Sequence, residues 1–160
     1  MKKIISLFTL AALMAGQVNA QSNPKWLRYS NISPDGKTVV FTYKGDLYTV
    51  PSTGGNATPL TMHEAHDFMP VWSKDGKSIA FASDRYGNFD VFTIPVTGGE
   101  AKRVTFHSAS EYPYDFSADN QKIIFGSARM DLASNRQFPT GSMPELYSVG
   151  VNGGRPTQLL

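Results

Sequence analysis

The chain has 160 residues, a formal net charge of +2, 41% hydrophobic and 18% charged residues, a balance that excludes a disordered, weakly hydrophobic chain. It contains no cysteine. That excludes a disulfide framework, a thiol nucleophile, a cysteine-based zinc site and an acylated lipoprotein cysteine. Fourteen glycines, ten prolines and nineteen aromatics (two Trp, seven Tyr, ten Phe) point to many short strands joined by tight turns.

The N-terminus comes first. Lys2 and Lys3 precede the apolar run Ile4 to Ala15, and small and polar residues follow, ending in Val18-Asn19-Ala20. A positive start, a short apolar stretch and a small-x-small cleavage site predict a secretory signal peptide over residues 1–20. Gly16-Gln17 interrupts the run before the roughly 20 apolar residues that a membrane span needs. No stable membrane anchor is therefore expected after cleavage. Residues 1–20 hold two of the 15 basic residues and none of the 13 acidic ones. The remainder has 13 of each sign and no net charge, hence no basic stripe for nucleic acid. Export, with a periplasmic destination, is the expected localisation.

A repeat governs the rest. Ile32-Ser33-Pro34-Asp35-Gly36-Lys37 returns as Trp72-Ser73-Lys74-Asp75-Gly76-Lys77 and as Phe116-Ser117-Ala118-Asp119-Asn120-Gln121, with the serines 40 and then 44 residues apart. Each stretch leads into an apolar triplet: Val39-Val40-Phe41, Ile79-Ala80-Phe81 and Ile123-Ile124-Phe125. Downstream, Asp46-Leu47-Tyr48-Thr49-Val50, Asp90-Val91-Phe92-Thr93-Ile94 and Glu145-Leu146-Tyr147-Ser148-Val149 share one pattern. Glycine pairs follow at 54–55, 98–99 and 153–154.

Each unit reads as four strands. The first holds Ile32, Trp72 or Phe116. The second is Thr38–Tyr43, Ser78–Ser83 or Lys122–Ser127. The third carries the acid-aliphatic-aromatic run, and the fourth follows the glycine pair. Pro34 presets a type I turn, and Gly36 and Gly76 take the left-handed position that closes the hairpin. Asn120 is the best substitute for glycine there. Apolar triplets in place of strict alternation mark strands covered on both faces. Four strands per unit and a period of about 40–45 residues describe β-propeller blades. A flat sandwich would leave the period unexplained.

The fold class is thus all-β: an incomplete propeller of three four-stranded antiparallel sheets over residues 21–160, with blades at about 25–61, 66–105 and 110–160. Three blades do not close a ring of about 4–8. The chain is expected to be the N-terminal part of a longer protein, the alternative being a ring of several copies. The units differ in the hairpin between second and third strands. Phe41 to Tyr48 is 7 residues, Phe81 to Phe92 is 11 and Phe125 to Tyr147 is 22. The third hairpin carries Arg129, Asp131, Arg136 and Phe138.

Candidate chemistry is sparse. His63-Glu64-Ala65-His66-Asp67 is not the His-Glu-x-x-His zinc motif, because the second histidine is one residue too close. Thr61-Met62-His63 recurs as Thr105-Phe106-His107, and Asp67 as Glu111, all offset by 44. Such recurrence favours a blade connection over a metal site. Gly126-Ser127 and Gly141-Ser142 lack the nucleophile-elbow pattern, and Gly54-Gly55-Asn56-Ala57-Thr58 is no phosphate loop. Asp84-Arg85 reads as a rim ion pair of the hairpin, or as part of a peptide channel. No catalytic, cofactor-binding or metal-ligating residue is expected, and no cofactor.

Together, Trp26-Leu27-Arg28-Tyr29, Tyr43-Lys44-Gly45-Asp46-Leu47-Tyr48, Ala82-Ser83-Asp84-Arg85-Tyr86-Gly87-Asn88 and Phe138-Pro139-Thr140-Gly141 with Pro144-Glu145-Leu146-Tyr147 resemble the start of exported bacterial homologues of tricorn-type serine peptidases. The Ser-Pro-Asp-Gly-Lys motif is shared more widely with TolB-like propellers. The resemblance spans residues 25–160. It implies that further blades, a PDZ-like domain and a catalytic region with serine nucleophile, histidine base and acidic partner follow. It also implies propellers that admit and guide peptides. None of that catalytic region lies in this chain, so no catalytic residue carries over. The implied partners are peptides or proteins, further blades and the peptidase region. The family archetype is cytosolic, which leaves a cytoplasmic location as the alternative. TolB-like proteins place an α/β domain before the propeller; here the first blade is expected to begin within about ten residues of the predicted cleavage site, so that domain is expected to be missing. The alternative function is a non-catalytic periplasmic TolB-like interaction propeller. Prolyl-oligopeptidase-type enzymes also join a propeller to a hydrolase, whose triad would again lie beyond residue 160.

Overall fold

A computed structural model describes residues 26–129 and 144–160. Residues 1–20, Asp131, Arg136, Phe138 and Ser142, each invoked above, lie outside the described residues. Twelve strands form three antiparallel sheets and no helix occurs among the described residues. The first sheet holds β1 (Arg28–Ile32), β2 (Thr38–Tyr43), β3 (Asp46–Pro51) and β4 (Thr58–Pro59). The second holds β5 (Asp67–Trp72), β6 (Ser78–Ser83), β7 (Asp90–Pro95) and β8 (Lys102–Arg103). The third holds β9 (Glu111–Phe116), β10 (Lys122–Ser127), β11 (Glu145–Gly150) and β12 (Thr157–Gln158). In each sheet the strands lie side by side in chain order.

The repeated turns explain the regular spacing. Ser33 Oγ donates to Asp35 Oδ1 at 2.6 Å, Ser73 to Asp75 at 2.7 Å and Ser117 to Asp119 at 2.5 Å. The same aspartate oxygen accepts the N–H of Lys37, Lys77 or Gln121, and the serine oxygen accepts the N–H of Thr38, Ser78 or Lys122. Gly36 (φ 72°), Gly76 (69°) and Asn120 (58°) all take the left-handed conformation, as the turn requires. Lacking a Cβ, glycine does so at little cost, while asparagine tolerates it.

These clasps set an acid sensitivity. Asp35, Asp75 and Asp119 are held below the ordinary value of 3.8, first by the serine hydroxyl and then by the backbone N–H two residues on. A carboxyl lowered on folding contributes stability above its unfolded value and loses it as pH falls through the folded one. The three hairpins are therefore expected to hold at neutral pH and to loosen below pH 3.8. Amide-exchange protection of Ser78, followed from about pH 5 to about pH 2.5, reports this. Asp75→Asn should remove most of the pH response in that hairpin alone. An unchanged response would assign the sensitivity elsewhere.

The sheets stack through unlike faces. Within a strand, side chains alternate between faces. Ile79, Phe81, Phe92 and Ile94 of the second sheet meet Val40 and Leu47 of the first, with Trp72 completing the cluster. Ile123, Phe125, Tyr147 and Val149 of the third meet Ala80 and Val91 of the second. Each sheet thus offers a large, aromatic face backward and a smaller face forward. Phe81 stacks on Phe92 at 5.8 Å and Phe125 on Tyr147 at 5.6 Å. In the first sheet the matching pair is Phe41 and Tyr48 at 5.9 Å. Phe116, Ile123, Phe125 and Tyr147 are all buried in the cluster against the second sheet and do not lie on the third sheet's forward face. Ile124 and Leu146 occupy the forward side, because alternation along β10 and β11 separates them from their neighbours.

Every first strand carries a bulge that the sequence analysis missed. Two residues oppose one: Tyr29 and Ser30 against Phe41, Met69 and Pro70 against Phe81, Pro113 and Tyr114 against Phe125. Tyr29 (φ 51°) and Met69 (φ 53°) absorb the bulge with positive φ. Pro113 occupies the Met69 position in the third sheet, and its ring forbids positive φ. It stays paired with Phe125, and Tyr114 is the residue left over. The Tyr114 ring then lies over Gly126, where any Cβ would collide with it.

Candidate functional site: an aromatic cavity between the first two sheets

The first strands β1, β5 and β9 neighbour one another, and their bulges gather there. Bulges re-aim side chains and recur beside functional sites. Tyr29, Met69, Pro70, Pro113 and Tyr114 border a shallow cleft of about 240 Å³. A larger cavity of about 690 Å³ opens at the end of the first and second sheets nearest the β2–β3 hairpin. That is within the range of about 300–1,000 Å³ typical of small-ligand sites.

The cavity follows from hairpin lengths. In the first sheet Tyr43 pairs with Asp46, leaving the two-residue turn Lys44 (φ 52°) and Gly45 (φ 95°). Two positive φ values make this the turn whose twist suits a tight hairpin. The second sheet's longer hairpin contributes Asp84 and Phe89, and the connector between the sheets contributes His66. Gly45 and Phe89 occupy matching places. The carbonyl of Gly45 accepts the Asp67 N–H at 2.7 Å, and that of Phe89 accepts the Glu111 N–H at 2.8 Å. Where the second sheet has a phenyl ring, the first has only a hydrogen atom, and a Cβ there would sit 3.8 Å from His66 Nδ1.

An edge-to-face array lines the cavity. Phe68 meets Tyr29 at 5.4 Å, His66 at 5.2 Å and Phe89 at 4.7 Å, with ring planes 62–70° apart. Such geometry is the favoured one for aromatic pairs. Tyr29 is 47% exposed and Trp26, also on the lining, 70%. Two cations complete the wall. Arg28 lies 5.6 Å from the Trp26 ring and Lys44 5.4 Å from the Tyr43 ring. Neither forms a salt bridge with a described residue. The Thr42 hydroxyl is buried on this lining and makes no hydrogen bond with a described residue.

Asp84 and Arg85 do not pair with each other. Asp84 Oδ1 accepts the His66 backbone N–H at 2.8 Å and faces the cavity. Arg85 turns inward and holds buried Asp67 at 2.7 Å, its guanidinium 5.3 Å from the Phe92 ring. Arg129 holds buried Glu111 at 2.5 Å in the same way, 5.3 Å from Phe125 and 5.2 Å from Tyr147. The rim ion pair is thus replaced by a buried one that recurs in two sheets. Arg85 and Arg129 share the 44-residue offset of Asp67 and Glu111, a signal that the variable hairpin lengths obscured. A third buried acid, Asp90, pairs with Arg103 at 2.6 Å. Burial, the larger influence, pushes its carboxyl up, against the pull of Arg103.

The histidine repeat is a connector device. His63 Nδ1 accepts the Ala65 N–H and His107 Nδ1 the Ala109 N–H, each at 3.0 Å. His66 belongs to the aromatic array instead. Ser127 is buried and donates to the Ser110 carbonyl at 3.1 Å. No group of three or more metal-ligating side chains occurs among the described residues.

Three radially repeated four-stranded sheets, stacked face to face with their first strands adjacent, define a segment of a β-propeller. The chain belongs to the tricorn protease N-terminal β-propeller domain family, whose model matches residues 24–160. Dipeptidyl-peptidase 5 of Porphyromonas gingivalis is 37% identical over 67 residues, covering 36% of this chain and 10% of that protein. A protein assigned as TolB from Agrobacterium tumefaciens superimposes with a TM-score of 0.69 at 25% identity, over 84% of this chain and 46% of its own. The tricorn protease gives 0.58 at 16% identity, over 78% and 13%. This chain therefore spans one tenth of the peptidase it matches and less than half of the TolB structure.

Proposed function

We propose that this chain is the propeller portion of an exported tricorn-type serine peptidase, in which it admits and guides peptide substrates while catalysis belongs to a region outside it. The match to the tricorn propeller family over residues 24–160 carries this reading. The likeness to a dipeptidyl-peptidase supports the association with peptide hydrolysis, and the pattern of residues 1–20 supports export. The aromatic cavity beside the first strands supports contact with peptide side chains.

The alternative is a non-catalytic periplasmic propeller of the TolB kind that binds a folded protein. The higher TM-score of the TolB comparison favours it. Binding without turnover separates the two. Incubated with a pool of short unstructured peptides, the chain should retain a subset and cleave none, since no nucleophile–base pair is identified in it. Cleavage abolished by Ser127→Ala would place a catalytic serine in the chain. Failure to retain any peptide would favour the TolB-like reading.

A further inference from the structure

We propose that the cavity between the first and second sheets is a subsite for a peptide segment that presents an aromatic side chain beside a carboxylate. This rests on the reading of the propeller as a peptide-guiding module and names what that module prefers. Three observations carry it. The lining is an edge-to-face array centred on Phe68, with ring centroids 4.7–5.4 Å apart, and a guest ring extends such an array favourably. Arg28 and Lys44 stand on the same wall without a described acidic partner, whereas Arg85, Arg103 and Arg129 are each committed to a buried carboxylate. The Thr42 hydroxyl is buried on the lining and lacks a described hydrogen-bond partner, a group that a bound polar atom would satisfy.

The selectivity has a physical order. The rings exclude water and take the aromatic side chain. The cations favour a negative group next to it, because a charge-assisted hydrogen bond is about twice as strong as a neutral one. A basic neighbour is disfavoured by like-charge repulsion, because Arg28 and Lys44 outnumber Asp84, the only acid among the described lining residues. The carboxylate can come from an Asp or Glu side chain or from the peptide's own C-terminus.

The chain carries its own reporter. It has two tryptophans: Trp26 lines the cavity and Trp72 is buried between the sheets. With Trp72→Phe as background, Trp26 fluorescence reads occupancy in the full chain. The probes are four short peptides: acetyl-Ala-Phe-Glu-Ala-amide, acetyl-Ala-Phe with a free carboxylate, acetyl-Ala-Phe-amide, and acetyl-Ala-Ala-Glu-Ala-amide. The expected result is that peptides with both groups bind at least about tenfold more tightly than those with one, tenfold being about 1.4 kcal/mol. The first two probes distinguish a side-chain from a terminal carboxylate.

Arg28→Gln with Lys44→Asn should abolish the carboxylate advantage and leave acetyl-Ala-Phe-amide unchanged. Asparagine tolerates the positive φ at position 44. Phe68→Ala should weaken every phenylalanine peptide, and Phe68→Leu serves as the variant that keeps the packing if alanine unfolds the sheet. Equal binding of all four probes, or binding untouched by these substitutions, overturns the proposal. If the chain still retains peptides from a mixed pool in that case, the guiding role survives and only this subsite falls. If it retains none, both fall.

Discussion

Arg85→Ala is expected to destabilise the second sheet by about 3–5 kcal/mol, the usual cost of leaving one member of a buried ion pair alone. Asp67 is fully buried, and Arg85 both neutralises it at 2.7 Å and covers the Phe81 and Phe92 rings, 5.8 and 5.3 Å from the guanidinium. Asp67 Oδ1 already lacks a described partner, so no described residue compensates the orphaned charge. The cost is a large share of the roughly 5–15 kcal/mol that holds a typical domain. Urea denaturation should show the midpoint falling in proportion. The double replacement Asp67→Leu with Arg85→Met should recover most of the loss, because an apolar pair of similar volume avoids desolvating two charges. A single variant within about 0.5 kcal/mol of the parent would show that water reaches Asp67 and that the pair is no anchor.

The second large effect concerns association. The chain is expected to self-associate, and the first sheet's backward face should drive it more than the third sheet's forward face. Half-buried Val39 and Val50 sit opposite one another on the backward face, as do buried Phe41 and half-buried Tyr48, and Ile32 is 53% exposed. The forward face of the third sheet offers Ile124 and Leu146, with Gly126 between them in register. Among the described residues no further sheet covers either. An interface of ordinary size buries about 800 Å² per partner, and apolar burial contributes about 25 cal/mol per Å². Sedimentation velocity should therefore show dimers or larger species at tens of micromolar, since interfaces of that size hold from micromolar to picomolar. Tyr48→Lys with Val50→Lys should return the chain to monomer, and Ile124→Lys should do so less completely. A stable monomer with a cooperative melt, before any substitution, would refute the expectation.

The strand and turn pattern was legible because it is stated three times. A glycine at 36 means little alone; with Gly76 and Asn120 at the same place after a serine and an aspartate, it fixes a hairpin. The second strands Thr38–Tyr43, Ser78–Ser83 and Lys122–Ser127 are observed with those limits. The fourth strands shrink to two residues each, since propensity says little about where an outermost strand ends. The ion pairs were harder to see. Arg85 follows Asp84 in the chain, and adjacency suggested a local pair, but in the hairpin beyond β6 Asp84 accepts the His66 N–H while Arg85 reaches Asp67. The cavity was harder still. It arises where Gly45 replaces a ring and a two-residue turn replaces a longer hairpin, and missing bulk leaves no motif. The bulges at Tyr29, Met69 and Tyr114 were hidden for a related reason: only glycine advertises positive φ, and the first two positions use it without glycine.

The unlike faces of the sheets give the stack a direction. Phe81 with Phe92 always meets the small residues of the preceding sheet, and Phe125 with Tyr147 does the same one step on. A duplicated unit inserted anywhere in the series would find a matching neighbour on each side, while an inverted one would set ring against ring. Growth of such a protein by gene duplication therefore requires no new contact chemistry, and the number of units is left to the angle between successive sheets.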